Sequence, residues 1–131
     1  MVGWYLNRAD KRGTLPNMLD GVMSNRIVLK DQGQIRIIPI AEIEYLEADD
    51  DYIKIHTTDK AYMKKATLTS YEKRLPSSNF TRIHRSYLVN LSEITRIELY
   101  EKSSHVAILK SGGKLPVSKS GYQLLKSSLG I

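Results

Sequence analysis

From Arg26 onward the chain alternates apolar and polar residues in short runs, broken every few positions by turn formers. Successive strand side chains point to opposite faces, so a period of two marks a half-buried strand. Arg26–Lys30 and Gln34–Ile38 flank Asp31-Gln32-Gly33, which predicts a hairpin. Ile43–Glu47 and Tyr52–His56 enclose the acidic turn Ala48–Asp51, and Thr57-Thr58-Asp59 leads into Lys60–Lys64. Ile94–Tyr100 and His105–Leu109 are β-branched and aromatic, and Gly112-Gly113 closes a further hairpin onto Lys114–Val117. Strands this short with turns this frequent predict a mostly β, antiparallel domain with minor α content.

Two stretches carry helical spacing instead. Leu68, Tyr71 and Leu75 fall at i, i+3 and i+7 before Pro76, and Thr69-Ser70-Tyr71-Glu72 has the form of a capping box. Ser118 can cap a last helix whose apolar face is Tyr122, Leu125 and Leu129, ending at Gly130. Residues 1–25 show no sustained period and are punctuated by Gly3, Gly13, Pro16, Asn17, Asp20, Gly21, Ser24 and Asn25. They are expected to be a linker, a tail or an expression remnant, with one short helix near Leu15–Met23. The domain proper is expected over 26–131.

Composition narrows the class. A chain of 131 residues with 41% hydrophobic and 26% charged residues suits one globular domain. Without cysteine there is no disulfide scaffold, zinc-thiolate site or cysteine nucleophile, and a reducing compartment is favoured. No apolar run approaches the roughly 18 residues of a membrane span, and the N-terminus lacks a signal-peptide pattern. No membrane association is expected, and the cytoplasm is the expected location. Charge is segregated: residues 31–59 hold eight acids against two bases, residues 60–131 thirteen bases against four acids. One surface attracting a polyanion is the reading this favours; solvated surface charge is the alternative.

Candidate chemistry is sparse. Asp49-Asp50-Asp51 offers carboxylates to a hard cation, but lacks the alternating ligand positions and distal Glu of a calcium loop. Ser86, His84 and Asp51 could be assembled on paper into a hydrolytic triad, yet no nucleophile elbow, P-loop or dinucleotide fingerprint is present. His56, His84 and His105 lack metal-ligand spacing; His56 and His105 read as strand-face residues and His84 as a half-buried, hydrogen-bonded ring. No metal, no cofactor and no enzyme activity are expected.

The most informative segment is Phe80-Thr81-Arg82-Ile83-His84-Arg85-Ser86-Tyr87-Leu88-Val89-Asn90-Leu91. Ile83, Tyr87 and Val89 share parity with Arg85, so a bend or loop is expected to project Arg85. Its planar fork suits phosphates and guanine edges. This segment resembles the signature of the LytTR DNA-binding domain, the output module of LytR/AgrA-type bacterial response regulators. The resemblance extends over about residues 27–129 through Ile43–Ala48, Tyr52–His56, Thr67–Pro76 and Leu109–Lys119.

The resemblance implies an elongated arrangement of small antiparallel sheets, with one short helix and a C-terminal helix, that reads DNA with loops. It places base contacts at Tyr52 with its neighbour Asp51, at Arg85 and at Lys119. The acidic first position departs from relatives that carry a histidine or another basic group there. Lys64, Lys65, Arg82, His84 and Ser86 are the phosphate-contacting candidates. The alternative for Arg85 is a structural pair with Glu47 or Glu93.

The expected function is sequence-specific double-stranded DNA binding in bacterial transcription regulation, as the output domain of a two-component response regulator. Paired direct repeats, two copies of a monomer or weak dimer on DNA, and an upstream receiver domain or histidine-kinase pathway are implied with it. The rival is a small β-domain that binds a protein or anionic ligand through its basic face. A carboxylate-metal hydrolase using Asp49–Asp51 is the weaker third reading.

Overall fold

A meander of alternating residues comes first. In the computed structural model, which describes residues 21–23, 25–101 and 104–131, strands β1 (Gly21–Met23), β2 (Arg26–Asp31) and β3 (Gln34–Pro39) form one antiparallel sheet in chain order. Asp31 pairs with Gln34, leaving Gln32-Gly33 as a two-residue turn with φ of 51° and 81°. Positive φ at both turn positions matches the twist of the strands it joins. Ile27, Val28, Leu29 and Ile38 are buried, whereas Ile35 and Ile37 are exposed. Gly21–Met23 is a strand paired with Arg26–Val28, not the end of a helix. The rest of that expected helix, residues 15–20, lies outside the described residues.

The chain divides at Ala41/Glu42 into two units, and the second holds everything that follows. Strands β4 (Ile43–Asp49), β5 (Tyr52–Thr57), β6 (Ala61–Lys65), β7 (Phe80–His84) and β8 (Tyr87–Asn90) build a five-stranded antiparallel sheet in the order β6-β5-β4-β8-β7. Helix α1 (Leu68–Arg74) packs against β4, β7 and β8. Its N-cap is Thr67, whose hydroxyl accepts from the Ser70 N–H at 3.1 Å. The helix therefore starts two residues earlier than a capping box at Thr69 implies, with Leu68 already helical and buried with Tyr71, and Glu72 pairs with Arg82 instead of capping.

Strands β9 (Ile94–Leu99), β10 (His105–Leu109) and β11 (Lys114–Val117) form a second small sheet, and α2 (Lys119–Leu129) closes the chain. Ile83 and Val89 of the larger sheet share one core with Ala107, Leu109, Leu115, Val117 and Leu125. Tyr122 packs on its edge, while Leu129, expected on the same face, is 43% exposed beside the helix end. Buried Asn90 is satisfied: its amide donates to the Ile43 carbonyl at 2.8 Å and its Oδ1 accepts from the Ser92 N–H at 3.1 Å. The architecture is mostly β, with small antiparallel sheets and two helices, as the sequence predicts.

Candidate nucleic-acid interface

Register alone gathers most of the predicted residues. Asp49 pairs with Tyr52, so Asp50-Asp51 turns the chain at one end of the five-stranded sheet. Tyr52 pairs with Lys65, which brings the end of β6 to that end. Glu47 pairs with Tyr87, and the Ala48 N–H donates to the Ser86 carbonyl at 2.9 Å, so the turn Arg85-Ser86 lies there too.

A β-bulge aims that turn. Arg82 faces Leu88 and His84 faces Tyr87, so Ile83 is the extra residue on β7. A bulge takes one residue out of the ladder and turns the strand, which explains why simple alternation fails across 83–89. The Ile83 carbonyl instead accepts from the Ser118 N–H at 2.8 Å and from its hydroxyl at 3.3 Å. Ser118 is also the N-cap of α2, accepting from the Gly121 N–H at 3.0 Å. Lys119 therefore starts its helix on the same bulge that precedes Arg85.

The side chains have different duties. Arg85 is exposed, and among the described residues it pairs with no carboxylate; the Glu47 carboxylate meets His56 Nε2 at 2.9 Å instead. Arg82 is turned inward. Its Nε donates to the His84 carbonyl at 3.0 Å, Nη2 to the Arg85 carbonyl at 2.6 Å, and Nη1 to Glu72 Oε1 at 2.7 Å. Its fork thus engages the turn's backbone and α1. His84 Nδ1 accepts from the Ser86 backbone N–H at 3.1 Å, so the hydroxyl of Ser86 is not what meets the ring. Burial, then the charges of Arg85 and Arg82, hold the His84 pKa below its ordinary value.

Lys64 and Lys65 separate. Lys64 pairs with buried Ile53 and shares its face, whereas exposed Lys65 shares the opposite face with half-exposed Tyr52. Asp51 is exposed in the turn, and Asp50 beside it has φ of 56°. Lys54 Nζ lies 3.6 Å from Asp49 Oδ2. Among the described residues no group of three or more histidines and carboxylates could hold a metal.

Sequence reasoning took Thr69 and Glu72 for a capping box and missed that they flank the Arg82 guanidinium. It also missed the polar cluster on the sheet, where Tyr45 stacks on His56 at 4.2 Å and meets Tyr87 at 5.9 Å. Neither has a local signal, since each joins residues from different elements. Tyr122, on α2, stacks on His105 of β10 at 3.8 Å.

Comparison with known proteins adds independent support. The family model of the LytTr DNA-binding domain matches residues 33–130. The chain is 35% identical over 107 residues to the sensory transduction protein LytT of Bacillus subtilis (strain 168), covering 82% of this chain and 44% of that protein. It is 38% identical over 77 residues to the transcriptional regulatory protein LytR of Staphylococcus aureus (strain N315), covering 59% of this chain and 31% of that protein. The chain thus spans less than half the length of these curated relatives. A solved structure described as a Bacillus cereus LytTr DNA-binding domain superposes with a TM-score of 0.74 at 28% identity, covering 83% of this chain and 100% of that one. With the family model matching three quarters of the chain and a solved LytTr domain superposing on it, the chain belongs to the LytTR DNA-binding domain family.

Proposed function

We propose that this domain binds double-stranded DNA sequence-specifically, as the output module of a bacterial transcriptional regulator. The observation that carries the reading is Arg85: an exposed guanidinium on a turn whose backbone is held by Arg82, His84 and Ala48. A group meant to read base edges needs such a rigid base, because a misplaced fork loses its paired hydrogen bonds. Arg85 and Lys119 take base edges, with Tyr52 and Asp51 as the third reading position. Lys64, Lys65, His84 and Ser86 are the proposed phosphate contacts, the two lysines reaching the backbone from opposite faces of the sheet end, and Arg82 serves the turn.

The family supports the DNA; the names of the relatives support signal transduction and transcription regulation. An upstream receiver domain, two copies on paired direct repeats, and a cytoplasmic location belong to the same proposal. Among the described residues no helix is long and apolar enough to cross a membrane. Residues 26–131 form the DNA-binding part, with Gly21–Met23 as an added strand on its first sheet.

Selection from a random duplex pool tests the function. Enrichment of one motif is expected. A pool that stays flat after repeated rounds would transfer the basic face to a protein or another anionic ligand.

A further inference from the structure

We infer that Glu72 and Arg82 form a positioning clamp that sets the Arg85 turn, and that neither is a DNA contact. The inference rests on the base-reading role proposed for Arg85. The two-residue turn leaves the Arg85 carbonyl outside the β7–β8 ladder, which ends where His84 faces Tyr87 just after the bulge at Ile83. A turn carbonyl without a partner would leave the turn loose. One guanidinium donates to the carbonyls of His84 and Arg85, from Nε at 3.0 Å and Nη2 at 2.6 Å, two donors held in one fixed plane where an ammonium has only a single rotating nitrogen. Glu72 fixes the fork from α1 at 2.7 Å, with the Thr69 hydroxyl at 3.5 Å from the same nitrogen. The Arg82 side chain is only 20% exposed and Glu72 38%. A guanidinium already paired with a carboxylate and donating to two carbonyls has little charge and few donors left for a phosphate.

The clamp and a phosphate contact predict opposite signs for one substitution. If Arg82 held phosphate, Glu72→Gln would release it, raise affinity for every duplex and steepen the salt slope by about one. If Arg82 is a clamp, Glu72→Gln loosens the turn. Affinity for the duplex selected by the wild-type domain then falls while affinity for a scrambled duplex holds or rises slightly.

Glu72→Gln, Arg82→Lys and Arg85→Ala are titrated on both duplexes at several salt concentrations, with melting temperatures as a control. The expected result is that the first two lower the selected-to-scrambled ratio by about tenfold, a part of the discrimination that one bidentate base contact supplies, with the salt slope unchanged. Arg82→Lys keeps the charge, so its loss of ratio would come from the fork. Glu72→Gln sits on a partly exposed helix face and keeps the side-chain shape, so it remains informative if Arg82→Lys weakens folding. An unchanged ratio in Glu72→Gln, or a rise in affinity for both duplexes, overturns the clamp. If Arg85→Ala alone collapses the ratio, only the clamp falls; if Arg85→Ala leaves it intact, the base-reading role of Arg85 falls as well.

Discussion

His84 closes the turn that carries Arg85 with an unprotonated ring nitrogen, since only such a nitrogen can accept from the Ser86 N–H. Burial first, and then two neighbouring guanidinium groups, push its pKa below the ordinary value of 6.5. On acidification the unfolded chain takes up the proton before the folded one does. Stability contributed by the neutral ring is therefore complete above about pH 6.5, falls as pH drops from there toward the lower folded value, and levels off below it. Thermal melts across that window should show a declining melting temperature. His84→Asn keeps an acceptor for Ser86 without the titration, so its decline over the same window should be shallower. Equal slopes for the two proteins would remove His84 from the account. An exposed Arg85 is legible from its sequence segment, whereas the inward turn of Arg82 depends on Glu72, ten residues away on a helix.

Between elements, α2 packs closely on β7 at Gly121. Gly121 lies inside a helix, where glycine costs about 1 kcal/mol relative to alanine. Propensity alone therefore predicts that Gly121→Ala stabilises. The structure reverses the sign: a Cβ there would collide with the Ile83 carbonyl, a backbone group held by the bulge and by Ser118. Gly121→Ala should lose about 1–3 kcal/mol in urea denaturation, the usual cost of overpacking. Because α2 would have to lift from β7, the same variant should also lose selectivity at Lys119. A more stable variant would contradict the packing. The helix was legible from Ser118, Tyr122 and Leu125; the need for glycine at its third position was not, because the obstructing atom comes from a strand far back in the chain.

At the scale of the whole molecule, a net charge of +6 makes DNA attraction dependent on salt. With Arg82 paired to Glu72, the remaining candidates are Lys64, Lys65, Arg85 and Lys119. If three or four of them displace counterions, the plot of log affinity against log salt should have a slope of about −3 to −4. Fluorescence anisotropy on a scrambled duplex measures it. A flat response would favour the protein-binding rival, because only a polyelectrolyte releases condensed ions in this way.

By itself the sequence determined the strands from Arg26 onward, both helices and the part of the chain where basic groups gather. Alternation, turn residues and capping are local properties, readable within a few positions. The Phe80–Leu91 segment carried the family because its polar residues sit at defined positions around one turn. Tertiary structure alone decided that Arg82 turns inward, that Lys64 and Lys65 leave opposite faces, and that Lys119 is tied to the bulge at Ile83. Those outcomes depend on register and on partners contributed by other elements. A hydrogen bond between residues 10 or 35 positions apart leaves no period in the chain that makes it.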